Sequence, residues 1–184
     1  MTAEVDSRAL DSGDAFAAVL AEPGPVGLRG LAIAAAIAAG AYTPGQGSID
    51  EAVAACITWD GITEKIEKLV INDSNGHGAG TTIEYQDGYY GADGEKIATA
   101  TGRAIVVAAE PQMWQFHSGI AEFADGTFAV TGFLNAAAVM KSMTQILHLR
   151  GTSGRYEGKV GYMSMTVSDT TQRPPHYAVS IAVR

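Results

Sequence analysis

From Ile62 to the C-terminus the chain is broken at regular intervals by turn signals: Asn75-Gly76, Asp87-Gly88, Asp93-Gly94, Asp125-Gly126 and the cluster Gly151–Gly154. Asn-Gly and Asp-Gly pairs accept the positive φ angles of tight hairpins. Between them lie runs rich in β-branched and aromatic residues, the composition of strands. The spacing predicts strands at about 63–71, 80–90, 96–109, 112–123, 126–134, 143–150, 155–168 and 176–184. Eight hairpin-linked strands have few ways to bury their apolar faces. Two stacked sheets fit the spacing, but a meander of strands this long also closes on itself around room for one small ligand. The expected fold is mainly β, an eight-stranded antiparallel β-barrel. Two stretches are ambiguous, because Ile62, Ile66, Leu69 and Val70, and likewise Val139, Met143, Ile146 and Leu147, also share a helical face.

Residues 1–61 have a different texture. Ser7–Glu22 sets Leu10, Phe16, Val19 and Leu20 near one helical face, behind Asp11, Ser12 and Asp14 as start signals. Pro23-Gly24-Pro25 stops that helix. The alanine-rich run Gly30–Ala41 favours helix by propensity, although Gly27, Gly30 and Gly40 weaken it. Tyr42-Thr43-Pro44-Gly45 reads as a break, and Ser48-Ile49-Asp50-Glu51 as a capping box opening a helix over Ala52–Trp59. The chain thus divides into an N-terminal helical lid and connector, 1–61, and a barrel, 62–184. With 184 residues and 47% hydrophobic content, it is large enough for one sizeable core plus such an extension.

Twelve basic against twenty acidic residues leave a formal charge of −8, a poor match for a phosphate backbone, so no nucleic-acid partner is expected. Gly30–Ala41 resembles a signal-peptide core, but acidic residues precede it where basic ones belong. It is also short of the ~20 residues of a membrane span. A soluble, cytoplasmic protein with no membrane partner is expected.

The richest single stretch is Pro111–Phe123. As a strand it puts Met113, Gln115, His117, Gly119, Ala121 and Phe123 on one face, and Trp114, Phe116, Ser118, Ile120 and Glu122 on the other. Gln115 and His117 would be placed polar groups in an otherwise apolar pocket; the competing reading is a solvated sheet face. Tyr85 alternates with Glu84 in a neighbouring strand and supplies either a pocket hydroxyl or ordinary core packing. Met163 and Met165 share a face of the 155–168 strand, as core filler or as ligand contacts. Cys56, the one cysteine, reads as a small buried hydrophobe.

Other motifs carry less. Asp73, Asn75, Gly78 and Glu84 fall on positions of a calcium loop, yet the flanks read as strand, and a flexible hairpin is the simpler account. The four histidines, His77, His117, His148 and His176, lack paired metal-ligand spacing. No Gly-x-Ser-x-Gly elbow is present, and Ser118 points away from His117.

Gly151-Thr-Ser-Gly-Arg-Tyr-Glu-Gly-Lys-Val-Gly161 resembles the glycine-rich strand start of the allene oxide cyclase and dirigent barrels. Together with the glutamine and histidine of Gln112-Met-Trp-Gln-Phe-His117 and the acidic, then alanine-rich N-terminal segment, the chain is similar to the spirotetramate- and spirotetronate-forming cyclases of actinomycete polyketide pathways. That resemblance implies an intramolecular [4+2] cycloaddition on a small-molecule polyene tetramate, without cofactor or metal. Gln115 would then donate a hydrogen bond to the carbonyl conjugated with the dienophile, while His117, Tyr85, Met163 and Met165 line the substrate pocket. Holding the two reacting ends together alone supplies ~7–11 kcal/mol in favourable cases.

The first third needs its own explanation. Burying Leu10, Phe16, Val19 and Leu20 contributes ~1.5–3 kcal/mol each, less than the entropy of ordering Ser7–Glu22 at on the order of 1–2 kcal/mol per residue. The expectation is a lid that orders over the barrel mouth when ligand adds contacts. Rival readings are another cyclase of the same superfamily, a non-catalytic carrier of a hydrophobic metabolite, and a partner-binding module. In the last, Trp114, Phe116 and Ile120 point outward and are covered by residues 26–59 or by a homodimer partner.

Overall fold

A computed structural model of the chain describes residues 27–43, 47–73 and 78–184. The expected helix at 7–22, with Leu10, Phe16, Val19 and Leu20, lies outside the described residues, as do Asn75 and His77 of the calcium-like loop.

Eight strands form a closed barrel in chain order: β1 (Ile57–Asn72), β2 (Thr82–Tyr90), β3 (Lys96–Ala108), β4 (Trp114–Phe123), β5 (Gly126–Asn135), β6 (Gln145–Gly154), β7 (Val160–Asp169) and β8 (His176–Val183). Each pairs antiparallel with the next, and β1 closes on β8. The sandwich alternative is therefore excluded. Alternation puts Phe128, Val130 and Leu134 of β5, Leu147 and Leu149 of β6, Met163 and Met165 of β7, and Val179, Ile181 and Val183 of β8 inside.

One end of the barrel is packed solid. Trp59, Phe123, Phe128 and Tyr156 meet there, with Phe128 stacked on Tyr156 at 4.3 Å between ring centroids and Trp59 at 5.5 Å from both Phe123 and Tyr156. Tyr156 is delivered by the β6–β7 hairpin, whose glycines carried the family resemblance. Gly151 lies directly beneath it, and a Cβ there would stand 1.6 Å from the Tyr156 carbonyl oxygen. The tyrosine hydroxyl donates to Asp125 in the adjoining β4–β5 turn.

Three local expectations are corrected. The Ser48 N-cap is present, with Glu51 N–H donating to Ser48 Oγ, but its helix runs only over Ile49–Ala54, and β1 begins at Ile57. Ile57 and Trp59 are drawn into strand by pairing with Val183 and Ile181, which closes the barrel. Arg155–Lys159, expected to open a strand, form the hairpin turn, and β7 starts at Val160. Asp87-Gly88 is no turn but mid-strand in β2, paired with Ile66 and Lys65 on one side and with Ala100 and Thr99 on the other.

Outside the barrel, α1 (Leu28–Ala38) lays Leu31, Ala32, Ala34 and Ala35 on Tyr162 of β7 and Ala182 of β8. Small side chains let its backbone approach the sheet closely. α2 (Ile49–Ala54) is tied to it by the Arg29–Asp50 ion pair at 2.7 Å. Cys56 packs against this layer, its thiol donating weakly to Ala32 and Ala52 carbonyls, and burial pushes its pKa up. It is a half-buried, protonated thiol at the edge of this layer, less buried than the sequence reading expected.

The described part of 26–59 therefore covers β7 and β8, not the outward face of β4. Trp114 is 40% exposed and Phe133, which packs on Phe116 at 5.1 Å, is 57% exposed. Among the described residues no helix is long and apolar enough to cross a membrane.

Candidate functional site

The other half of the barrel interior is hollow. A cavity of about 240 Å³ runs from the aromatic plug toward an open mouth near Leu69 and Met140, both exposed on one side and lining it on the other. The space comes from β3 and β4. Inward positions of β3 beside β2 are Ala100, Gly102 and Ala104, those of β4 beside them are Gly119 and Ala121, and β2 itself supplies the large side chains Tyr85, Asp87 and Tyr89. The ring of Tyr85 lies across Gly102 and Gly119: a Cβ on Gly102 would meet its hydroxyl at 2.6 Å, and one on Gly119 at 3.2 Å. Glycine at both places is what lets a tyrosine lie flat against the wall.

All five residues expected to act in the pocket, Gln115, His117, Tyr85, Met163 and Met165, line this one cavity. The solvated-face reading of β4 is thus replaced by the pocket reading. Tyr85 and His117 lie 5.7 Å apart between ring centroids. Burial depresses the His117 pKa to about 4, so the imidazole is neutral at physiological pH. Its Nε2 stands 3.1 Å from Gln115 Oε1. An amide oxygen only accepts, so Nε2 carries the proton and donates. Gln115 is thereby held by its oxygen, and its amide nitrogen contacts only the weak acceptor Met113 Sδ at 3.5 Å. The result is an oriented amide N–H donor in an apolar pocket.

At the mouth, α3 (Ala136–Met140) brings Ala136, Val139 and Met140 over the cavity. Its start is capped by Asn135, whose side chain accepts from Ala138 N–H at 3.0 Å. The sequence offered Val139 only as part of an ambiguous helical face.

The larger omission is at the deep end, where Glu64 and Asp87 line the same cavity, each 5% exposed. Their carboxyl groups hydrogen-bond to one another. Burial, then the neighbouring Asp87, pushes Glu64 well above the usual carboxylate range. Burial raises Asp87 to about 7, partly offset by the hydrogen bond it receives from Glu64. Glu64 therefore holds the proton and Asp87 accepts it. Tyr89 and Tyr177, the partners of Glu64 on the flanking strands, surround the pair, and burial pushes both phenols up. Asp87 shares parity with Tyr85, which could have revealed it; its Asp-Gly context read as a turn instead. Glu64 was hidden by the helix-like spacing around it.

Among the described residues no group of three or more His, Cys, Asp or Glu side chains is arranged to hold a metal ion. The barrel has solved counterparts. One is the Diels Alderase AbmU from Streptomyces koyangensis, 21% identical, with 70% of this chain and 63% of that chain aligned at a TM-score of 0.63. A second is described as a nonspecific heme-binding cyclase that catalyzes [4 + 2] cycloaddition during neoabyssomicin biosynthesis, 21% identical over 80% of this chain and 74% of that one, TM-score 0.66. A third is AbnU, an exo-specific intermolecular Diels-Alderase, 19% identical over 70% of this chain and 96% of that one, TM-score 0.61. The chain thus spans less than two thirds of AbmU, and these likenesses establish the fold. Residues 65–182, more than half of the sequence, match a family on their own account, and the chain belongs to the allene oxide cyclase barrel-like domains.

Proposed function

We propose that this protein is a [4+2] cyclase that folds a linear polyene tetramate in its barrel cavity and joins diene to dienophile, forming a spirotetramate or spirotetronate ring system. The observation that carries the reading is the oriented amide of Gln115, fixed by neutral His117 at the mouth half of an apolar cavity. Sequence resemblance to the spirotetramate-forming cyclases, and within them to that of the pyrroindomycin pathway, supports the substrate class. The Diels-Alderases among the structural counterparts support the reaction type.

The chemistry asked of the protein is modest. A cycloaddition moves electrons within the substrate, and no proton need leave it. The cavity walls bring the reacting ends together and exclude water. The Gln115 N–H hydrogen-bonds the carbonyl conjugated with the dienophile, a bond that strengthens as charge builds on that oxygen in the transition state. His117 acts through Gln115 and takes no proton. Tyr85 presents a flat face against which a ring can lie, and Met163 and Met165 adapt to the chain. Residues 1–22 are proposed as the lid that closes the mouth, with Leu10, Phe16, Val19 and Leu20 as its apolar face.

The test is incubation with a linear dialkene tetramate, following spiro product against a no-enzyme control. Conversion no faster than the control would leave the carrier reading in its place. Deletion of residues 1–22 should cut turnover; a variant that turns over at the full-length rate would remove the lid from the mechanism.

A further inference from the structure

The cyclase mechanism uses the mouth and walls of the cavity and leaves its floor without a task. Down each strand the lining stops abruptly. On β5 it ends at Val130 and on β6 at Leu147, and the next inward residues, Phe128 and Leu149, belong to the packed core. One contact spans the boundary. The Tyr89 hydroxyl on β2 donates to Met163 Sδ on β7 at 3.5 Å, reaching across the interior past β1 and β8. Both side chains line the cavity, and both are only 2% exposed. Behind Tyr89 stands Phe123 of the plug, 6.3 Å away between ring centroids. We propose that the Tyr89–Met163 crossbar is a chain-length stop, which sets how long an apolar tail the cavity accepts when the polar head of the ligand sits at the Gln115 end.

A stop has to be bulky and held in place. The Tyr89 ring supplies the bulk, and Phe123 blocks its retreat toward the plug. Its hydroxyl is tied to Met163, which is itself fixed on β7 between Leu147 of β6 and Ile181 of β8. A buried tyrosine hydroxyl keeps a partner, so swinging either side chain aside breaks the contact. Beneath the crossbar the interlocked rings are close-packed, and a tail pushed past it would overpack them. Above it, Gly119 on β4 and Ala100 and Ala104 on β3 leave a smooth slot along the wall, the shape of an unbranched chain lying lengthwise. Each further CH₂ is therefore buried against apolar wall until the tail end meets Tyr89. Beyond that length the added carbon has to stay at the mouth, in water. Met165, the next inward residue of β7 toward the mouth, pairs with Gln145 and lines the wall above the stop. The two methionines thus differ in task, Met163 ending the cavity and Met165 flanking it.

The inference rests on the cavity being the substrate site, but its test needs no turnover. Wild type is titrated with n-alkyl maltosides from octyl to tetradecyl, each below its micelle concentration, and affinity is plotted against tail length. The sugar head cannot give up its water, so it stays at the mouth and only the tail enters. Affinity should rise about fourfold per added CH₂ and then level off at one length, where the tail reaches the floor. Tyr89→Ala should move that plateau to tails longer by about two carbons or more, because truncating a packed side chain leaves a cavity. Met163→Ala is the milder truncation and carries the test if Tyr89→Ala does not fold; it should move the plateau by about one carbon or more. Leu69→Ala, at the mouth, should weaken all lengths alike and leave the plateau where it is. No binding of any tail, an affinity still climbing at tetradecyl, or a plateau that stays put in Met163→Ala would each overturn the stop. So would a plateau that moves with Leu69→Ala, since the limit would then lie at the mouth. A plateau that moves as expected beside a failed tetramate assay would sink the cyclase reading and leave the stop standing.

Discussion

The two halves of the barrel interior obey the same strand alternation and do opposite things. Toward the β6–β7 hairpin, the inward positions carry Trp59, Phe123, Phe128 and Tyr156, whose rings interlock and leave no space. Toward the mouth, the inward positions of β3 and β4 carry Ala100, Gly102, Ala104 and Gly119, and the interior stays open. Periodicity decides which side chains point inward, whereas their volumes decide whether the inside is a core or a pocket. The packed end holds the wall rigid, and the open end can be shaped by a few residues without threatening the fold.

That contrast can be broken at either end. The largest effect is expected at the plug: Phe128→Ala should destabilise by about 3–5 kcal/mol in urea unfolding. A loss below about 1 kcal/mol, the size of a minor packing change, would mean the plug is not close-packed. Next comes Gln115→Ala, which should lower kcat for the tetramate by about 10²–10³-fold while leaving the melting temperature unchanged. An intact rate would remove the hydrogen-bond role and leave the fold untouched.

The acid pair should show itself through pH. Burial raises Asp87 from its ordinary 3.8 to about 7 in the folded protein, and so favours the protonated form. Its contribution is full below pH 3.8 and is lost as pH rises through about 7. His117 runs the other way, its contribution being lost as pH falls from 6.5 toward about 4. Asp87→Asn removes the first effect, and by taking away the neighbouring charge it also eases Glu64 back toward its ordinary range, while His117 is left unchanged. The variant should therefore gain stability over wild type as pH rises from 4 to 8, by about 1–3 kcal/mol in chemical denaturation. A difference independent of pH would show that the carboxyl is solvated. The smallest effect is expected at the open end: Ala104→Leu projects into empty space, so stability should stay within about 1 kcal/mol while ligand binding is lost. A large destabilisation there would mean the cavity is tighter than its 240 Å³ indicates.

Much of this was legible before folding. Eight strands followed from turn dipeptides and β-branched runs, and the parity of β4 put Gln115 and His117 together facing inward. Tyr85, Met163 and Met165 were placed by the same alternation. What failed did so for physical reasons. Asp87-Gly88 has the chemistry of a turn, but Gly88 is held in the ladder between Lys65 and Thr99, and tertiary pairing overrode local preference. Ile57 and Trp59 continue a helical pattern on paper and became strand because β8 required a partner.

The sequence by itself determined the number of strands, the faces of each and the need for glycine at the β6–β7 hairpin, because these depend on neighbours a few residues apart. Only the tertiary structure decided that Glu64 and Asp87 meet, that Tyr85 lies across Gly102 and Gly119, and that His117 orients Gln115 in a desolvated pocket. The first two join different strands, while the last depends on the closed wall that takes water away. Burial and pairing at that range depend on the register of a closed barrel, which no local pattern encodes.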